Sequence, residues 1–180
     1  MQSTLRREDL VKRFCPLIFS SFFVLTIALI TSYSERIYLV YNTTGSLPRG
    51  LYFISKEAQI KRGDIVYFKP PFSIRKLLIE RNWLPEKANL MKEVVAIPGD
   101  HICIGSTGKL SINFSECRQI ILLKTDSKGL RMPHPYVDCG FIPKNKCFVL
   151  TDCARGFDSR YFGLIDLSLV IGKATPLFLF

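Results

Sequence analysis

From Phe14 to Ser34 the chain runs through 21 positions without a charged residue. As a helix rising 1.5 Å per residue such a segment covers about 30 Å, the thickness of the hydrocarbon layer of a bilayer. The pattern predicts a transmembrane helix. A cleaved secretory leader has a shorter apolar core, roughly 7–15 residues, followed by small residues at the cut. This segment is longer and leaves through Ile30-Thr31-Ser32-Tyr33-Ser34-Glu35-Arg36, with no Ala-x-Ala pattern, so it is read as a retained anchor.

Past the anchor the periodicity shortens. Runs at Arg36 to Tyr41, Leu51 to Ile54, Ile65 to Phe68, Lys92 to Ile97, His101 to Ile104, Leu110 to Phe114, Ile120 to Leu123, Cys147 to Leu150 and Leu169 to Lys173 read as short strands. They are separated by Gly, Pro and Asp turns of the Lys61-Arg62-Gly63-Asp64 kind, the punctuation of an antiparallel β domain. One stretch breaks the pattern. Between Ser73 and Trp83, Ile74, Leu77 and Leu78 recur at helical spacing, with Ser73 placed as a cap and Pro85 ending the run. The expected architecture is mainly β, with one short helical excursion and a single N-terminal transmembrane helix. Residues 1–13 form the cytoplasmic terminus, 14–34 the anchor and 35–180 one exported domain.

Charge sets the orientation. Arg6, Arg7, Lys12 and Arg13 precede the apolar segment, which keeps the amino terminus on the cytoplasmic side and places the domain across the membrane. The formal net charge of +10 suits anionic lipid headgroups. Its longest local runs, Lys61-Arg62 and Lys144-Asn145-Lys146, lack the interleaved aromatics of a nucleic-acid site, so lipid rather than nucleic acid is the expected partner. Of six cysteines, Cys15 lies in the anchor and five are exported. No spacing among them fits a zinc site, and an oxidising compartment admits one or two disulfides. Cys103 with Cys139 and Cys103 with Cys117 are the first pairs to test.

Two residues carry candidate chemistry. Ser46 sits in the turn-rich Asn42-Thr43-Thr44-Gly45-Ser46-Leu47-Pro48-Arg49-Gly50, and Lys92 opens the apolar run Lys92-Glu93-Val94-Val95-Ala96-Ile97-Pro98-Gly99-Asp100. A lysine takes a proton from a serine near neutral pH only when it is itself uncharged, which requires removal from water. An apolar strand offers that setting. Taken singly, a serine in a Pro/Gly turn is far more often a turn residue than a nucleophile. His101 and His134 are the only histidines; one follows a Pro-Gly-Asp turn and the other is held in Pro133-His134-Pro135, so neither is the expected base.

What raises Ser46 and Lys92 above that background is their place in a series. Ser46-Leu47-Pro48-Arg49-Gly50, Arg62-Gly63-Asp64-Ile65-Val66-Tyr67-Phe68, the Lys92 block and Phe157-Asp158-Ser159-Arg160-Tyr161-Phe162-Gly163 follow one another along the chain. In that order they resemble the signal peptidase I superfamily, and most closely its conjugative-transfer, TraF-type branch. The resemblance implies a signal-peptidase-like antiparallel β catalytic domain and a serine endopeptidase that needs no cofactor and no metal. It assigns Ser46 as nucleophile, Lys92 as general base, and the Ser46 N–H with the Thr44 hydroxyl as oxyanion donors. It marks Asp158 as important for activity, with Arg160 pairing it to brace the loop behind the lysine and Ser159 able to turn a hydroxyl toward Lys92.

The implied substrate is the signal sequence of an exported precursor, a conjugative pilin in this branch, with mating-pair-formation proteins as further partners. The implied location is the bacterial inner membrane with the catalytic domain in the periplasm. Two departures bear on that reading. Leader peptidases of the housekeeping kind carry Lys-Arg at the head of the third block and Gly-Asp-Asn ahead of the fourth, where this chain has Lys92-Glu93 and Leu150-Thr151-Asp152-Cys153; both favour the TraF-type branch over a broad-range leader peptidase. The family serine two residues before Asp158 is here Gly156, which with Glu93 is what a non-catalytic channel component would show.

Overall fold

The computed structural model describes residues 18–28, 37–56, 59–133 and 139–180. The chain divides into two compact units, Met1–Tyr38 and Leu39–Phe180. In the first, residues 18–28 are helical (α1). Its apolar side chains are exposed, among them Phe19, Phe22, Phe23 and Leu25, and its hydroxyls turn back on the helix: Thr26 Oγ1 donates to Phe22 O at 2.7 Å and Ser21 Oγ to Ile18 O at 3.0 Å. Among the described residues no helix is long and apolar enough to cross a membrane; positions 14–17 and 29–34 of the expected anchor, like residues 1–13, lie outside them.

The second unit is mainly β. Its strands are β1 (Ile37–Asn42), β2 (Gly50–Ser55), β3 (Ile65–Phe68), β4 (Leu90–Ala96), β5 (His101–Ile104), β6 (Lys109–Ile112), β7 (Ser115–Gln119), β8 (Cys139–Phe141), β9 (Lys146–Leu150), β10 (Ile165–Asp166) and β11 (Val170–Leu179). Two helices interrupt them, α2 (Phe72–Glu80) and the single turn α3 (Ser159–Phe162). A seven-stranded sheet has the order β1-β2-β11-β3-β4-β9-β10, and a four-stranded sheet the order β7-β6-β5-β8. Both are antiparallel in the pairs β11·β2, β11·β3, β3·β4, β4·β9 and β5·β6.

Apolar runs become strands here because β4 and β9 are covered on both faces. Val95, Ala96, Phe148 and Leu150 pack with Ile102, Ile104, Leu110 and Ile112 of the smaller sheet. On the opposite face Val94, Cys147 and Val149 pack with Val66, Phe68 and Ile165. Strands buried on two sides show continuous rather than alternating hydrophobicity. Lys92, at 4% exposed, is the buried charged residue of β4.

The structure departs from the sequence expectation at three places. Ser73 does not cap α2: the N-cap is Pro71, extended at φ −51 and ψ 147, with no side-chain cap bond, because the Pro70-Pro71 pair fixes the extended entry and Ile74 and Arg75 N–H then close on Pro71 O. Leu110 to Phe114 is not one strand, since Asn113 and Phe114 take φ 51 and 66 and turn the chain into β7. Ile120 to Leu123 forms no strand at all. The N–H of Ile120 bonds Gly108 O and that of Leu123 bonds the Tyr161 hydroxyl, so these donors are spent outside any ladder.

Cys103 and Cys139 face each other across β5 and β8 and form a disulfide. That leaves Cys117 exposed, Cys153 half-buried and Cys147 buried as free thiols. Burial pushes the Cys147 thiol up to about 12, the opposite of what a nucleophilic cysteine needs.

Candidate active site

Ser46 belongs to the turn between β1 and β2, and one side chain organises that turn. Asn42, 7% exposed, donates through Nδ2 to the carbonyls of Thr44 (3.2 Å), Leu47 (3.1 Å) and Pro48 (3.0 Å). Its Oδ1 accepts from Thr44 N (3.1 Å) and Thr44 Oγ1 (2.8 Å). The Tyr52 hydroxyl donates to Pro48 O at 2.8 Å and fixes the exit into β2. At that exit Gly50 takes φ +151 against the Phe178 carbonyl of β11; a Cβ there would collide with it, so only glycine lets the strands close. Asn42 is an organising residue of the turn that the sequence pattern left unmarked. Its signal, an Asx residue opening a Thr-Thr-Gly-Ser turn, was available.

The proton of Ser46 has a definite place in this turn. Thr44 has one hydroxyl proton and gives it to Asn42 Oδ1, so in the 3.1 Å contact between Thr44 Oγ1 and Ser46 Oγ the serine is the donor. Ser46 is thus held by a hydrogen bond to a neutral acceptor in the resting arrangement. Thr44 becomes free to donate to an oxyanion only when it turns away from Asn42.

Lys92 lies in β4 between β3 and β9, opposite Val66, and is 4% exposed. Removal from water pulls its ammonium down to about 8; the Asp158 carboxylate and Cys153 work against that pull and Arg160 adds to it. A lysine in this condition carries a useful neutral fraction near pH 7 to 8, which a solvated lysine does not. Ser46 and Lys92 both line one cavity of about 950 Å³.

Asp158 and Arg160 form a fully buried pair behind the lysine. Asp158 Oδ1 accepts from Arg160 N (3.2 Å) and Nε (2.8 Å), and Oδ2 accepts from Arg160 Nη2 and Thr151 N, each at 3.0 Å. Burial pushes the Asp158 carboxyl above its ordinary value, while the guanidinium and its hydrogen bonds oppose the push. Every contact on it is a donor, so the ionised form is the one the site holds. Arg160 also ties Thr151 O (2.7 Å) and Ile121 O (3.2 Å). The Ser159 hydroxyl, which the family pattern allowed to face Lys92, instead accepts from Val149 N at 3.0 Å and secures β9.

The helical excursion also reaches the site. Trp83, Leu84 and Leu90 line the same cavity, as do Asp126 and Phe157. Arg81 pins that wall by bonding Asp126 Oδ2 at 3.3 Å and Arg131 O at 2.7 Å. Trp83 meets Phe157 edge to face, centroids 5.1 Å apart. His101 stays out of it, stacked on Phe114 at 4.4 Å in the smaller sheet; His134 lies outside the described residues.

The profile of a family described as "Signal peptidase, peptidase S26" matches residues 9–179. The chain belongs to that family. Among curated proteins, the conjugal transfer protein TraF of Agrobacterium fabrum is 31% identical over 150 residues, covering 77% of this chain and 81% of its own. The plasmid transfer protein TraF of Escherichia coli is 31% identical over 146 residues, covering 75% and 80%. A crystal structure of a signal peptidase I from Enterococcus faecalis V583 aligns with 66% of this chain and 98% of that one at 22% identity with a TM-score of 0.42, a likeness too low to carry weight. Membership makes the chain signal-peptidase-like, and peptide hydrolysis is the chemistry the family implies.

Proposed function

We propose that this chain is a membrane-tethered serine endopeptidase in which Ser46 and Lys92 form a catalytic dyad that removes the signal sequence of an exported precursor, a pilin-like protein of conjugative transfer. The observation that supports it most is Lys92: a lysine 4% exposed, drawn down to about 8, opening onto the same cavity as Ser46. A buried cation stripped of water has a cost, and general-base work is the use for it. The relatives named for plasmid and conjugal transfer favour the narrow pilin-type substrate over a broad one. The charge-free segment with basic residues ahead of it favours a single-pass inner-membrane protein with its domain in the periplasm, close to where signal sequences leave the lipid.

The reaction follows from these groups. Neutral Lys92 takes the Ser46 proton as Oγ attacks the scissile carbonyl, and the negative charge that develops on the carbonyl oxygen is met by the Ser46 N–H and the rotated Thr44 hydroxyl. The Lys92 ammonium then protonates the departing amine, the C–N bond breaks, and the signal sequence stays on Ser46 as an ester. Water, deprotonated by the same lysine, attacks that ester; the bond from Ser46 Oγ to the acyl carbon breaks, the Lys92 ammonium returns the proton to Oγ, and the signal sequence leaves with a free carboxyl group.

Ser46→Ala and Lys92→Ala variants, produced at wild-type levels with a co-expressed pilin precursor, provide the test. Both are expected to leave the precursor uncut on a gel. Unchanged processing in both would end the proposal and leave a non-catalytic channel component as the reading.

A further inference from the structure

Between the strand of Lys92 and the turn of Ser46 stands Thr151. The ladder of β4 with β9 pairs Val94 with Val149 and Glu93 with Leu150; Thr151 is the residue just past the end of β9, as Lys92 is the one before Glu93. Its hydroxyl donates to the carbonyl oxygen of Ser46 and accepts from Cys153 N at 3.3 Å. Its own N–H is held by Asp158 Oδ2 at 3.0 Å and its carbonyl by Arg160 Nη2 at 2.7 Å. Every polar group of this residue, 2% exposed, is engaged, and the engagements run from the buried ion pair at one end to the Ser46 backbone at the other.

Gly156 fits the same account. A side chain at that position would run into the Thr151 methyl and come within 2.9 Å of Cys153 O and 3.1 Å of Asp158 Oδ2. The space in which the family pattern puts a serine is taken by Thr151. We propose that Thr151 is the positioning residue that holds Ser46 against the Lys92 strand, anchored by the Asp158–Arg160 pair, and that Gly156 is glycine to make room for it. On this account Asp158 serves Ser46, through Thr151, as well as the lysine. The inference rests on the dyad reading above and adds a residue that it does not name.

Thr151→Val keeps the volume and removes the hydroxyl; Thr151→Ser keeps the hydroxyl. With purified full-length protein in detergent and a precursor-derived peptide, Thr151→Val is expected to lose kcat by on the order of 100-fold, the scale of a misplaced reacting group. KM changes little and the pH at which activity rises stays near 8, where Lys92 sets it. Thr151→Ser stays within a few-fold of wild type. Amide hydrogen exchange supplies a readout that needs no activity: the segment 43–50 exchanges faster in Thr151→Val and not in Thr151→Ser. Gly156→Ala is expected to lose activity and to regain part of it in combination with Thr151→Ser, which deletes the obstructing methyl.

Folded Thr151→Val with wild-type kcat, equal losses in both Thr151 variants, or unaltered exchange over 43–50 would overturn the inference. Failure of the dyad looks different, because then Ser46→Ala and Lys92→Ala retain processing. If those two are inactive while Thr151→Val is fully active, only the role of Thr151 falls.

Discussion

The two halves of the site are held by different kinds of structure. Lys92 sits in a ladder, with β3 on one side and β9 on the other, and its burial comes from the sheet's own backbone and apolar neighbours. Ser46 sits in a turn whose shape depends on side chains, with Asn42 making five of its hydrogen bonds and Thr151 another. The difference teaches where each property originates. A strand can desolvate an amine and hold it through many weak, redundant contacts, whereas a turn aims a hydroxyl through a few specific ones. The amine's acidity therefore belongs to the core, and the hydroxyl's direction belongs to individual residues.

Three substitutions break or sharpen that contrast. The largest effect is expected at the anchor common to both halves: Asp158→Ala leaves the Arg160 guanidinium buried without its partner and should cost about 3–5 kcal/mol in denaturant unfolding, enough to lose the fold in many preparations. A loss under 1 kcal/mol would show that the pair does not brace the site.

Lys92→Met comes next, with the opposite sign. The folded state holds this lysine at about 8 against an ordinary value of 10.5, so below pH 8 it carries a charge that burial disfavours. That penalty is complete below pH 8 and disappears as pH rises through 10.5, where the unfolded chain also loses the proton. The variant should thus be more stable than wild type by on the order of 3 kcal/mol at pH 7, with the gap closing toward pH 10. Equal stability at pH 7 would mean that Lys92 is not desolvated.

Asn42→Ala is expected to have the smallest effect on stability, about 1–2 kcal/mol, since the freed carbonyls lie in a surface turn that water reaches. Its mark is on the reaction. Processing falls while the pH dependence, a property of the lysine's strand, stays where it is. A displaced pH limb in this variant would show that the turn and the strand are coupled rather than separable.

How much of this was legible in the sequence follows the same division. The Ser46 turn, the Lys92 strand and the Asp158 block are local signals, and the strands Ile65–Phe68 and His101–Ile104 were marked by apolar runs and flanking turns alone. What stayed hidden depends on partners distant in sequence. Thr151 has meaning only once β9 lies in register with β4 and the Ser46 turn folds over it. The excursion from Ser73 to Trp83 reads as an isolated helix until Arg81 finds Asp126. Ile120 to Leu123 has the composition of a strand, and it forms none because Gly108 and Tyr161 take its donors, a choice no local propensity records.

The placement of β11 carries a last consequence. It is the final strand in sequence, Val170–Leu179, yet it stands between β2 and β3 in the middle of the large sheet. The serine turn lies on one side of that gap and the lysine strand on the other. Until that strand docks, β2 and β3 share no ladder, and Ser46 and Lys92 belong to separate ribbons. Docking of β11 is therefore the event that sets the alcohol and the amine on one continuous sheet.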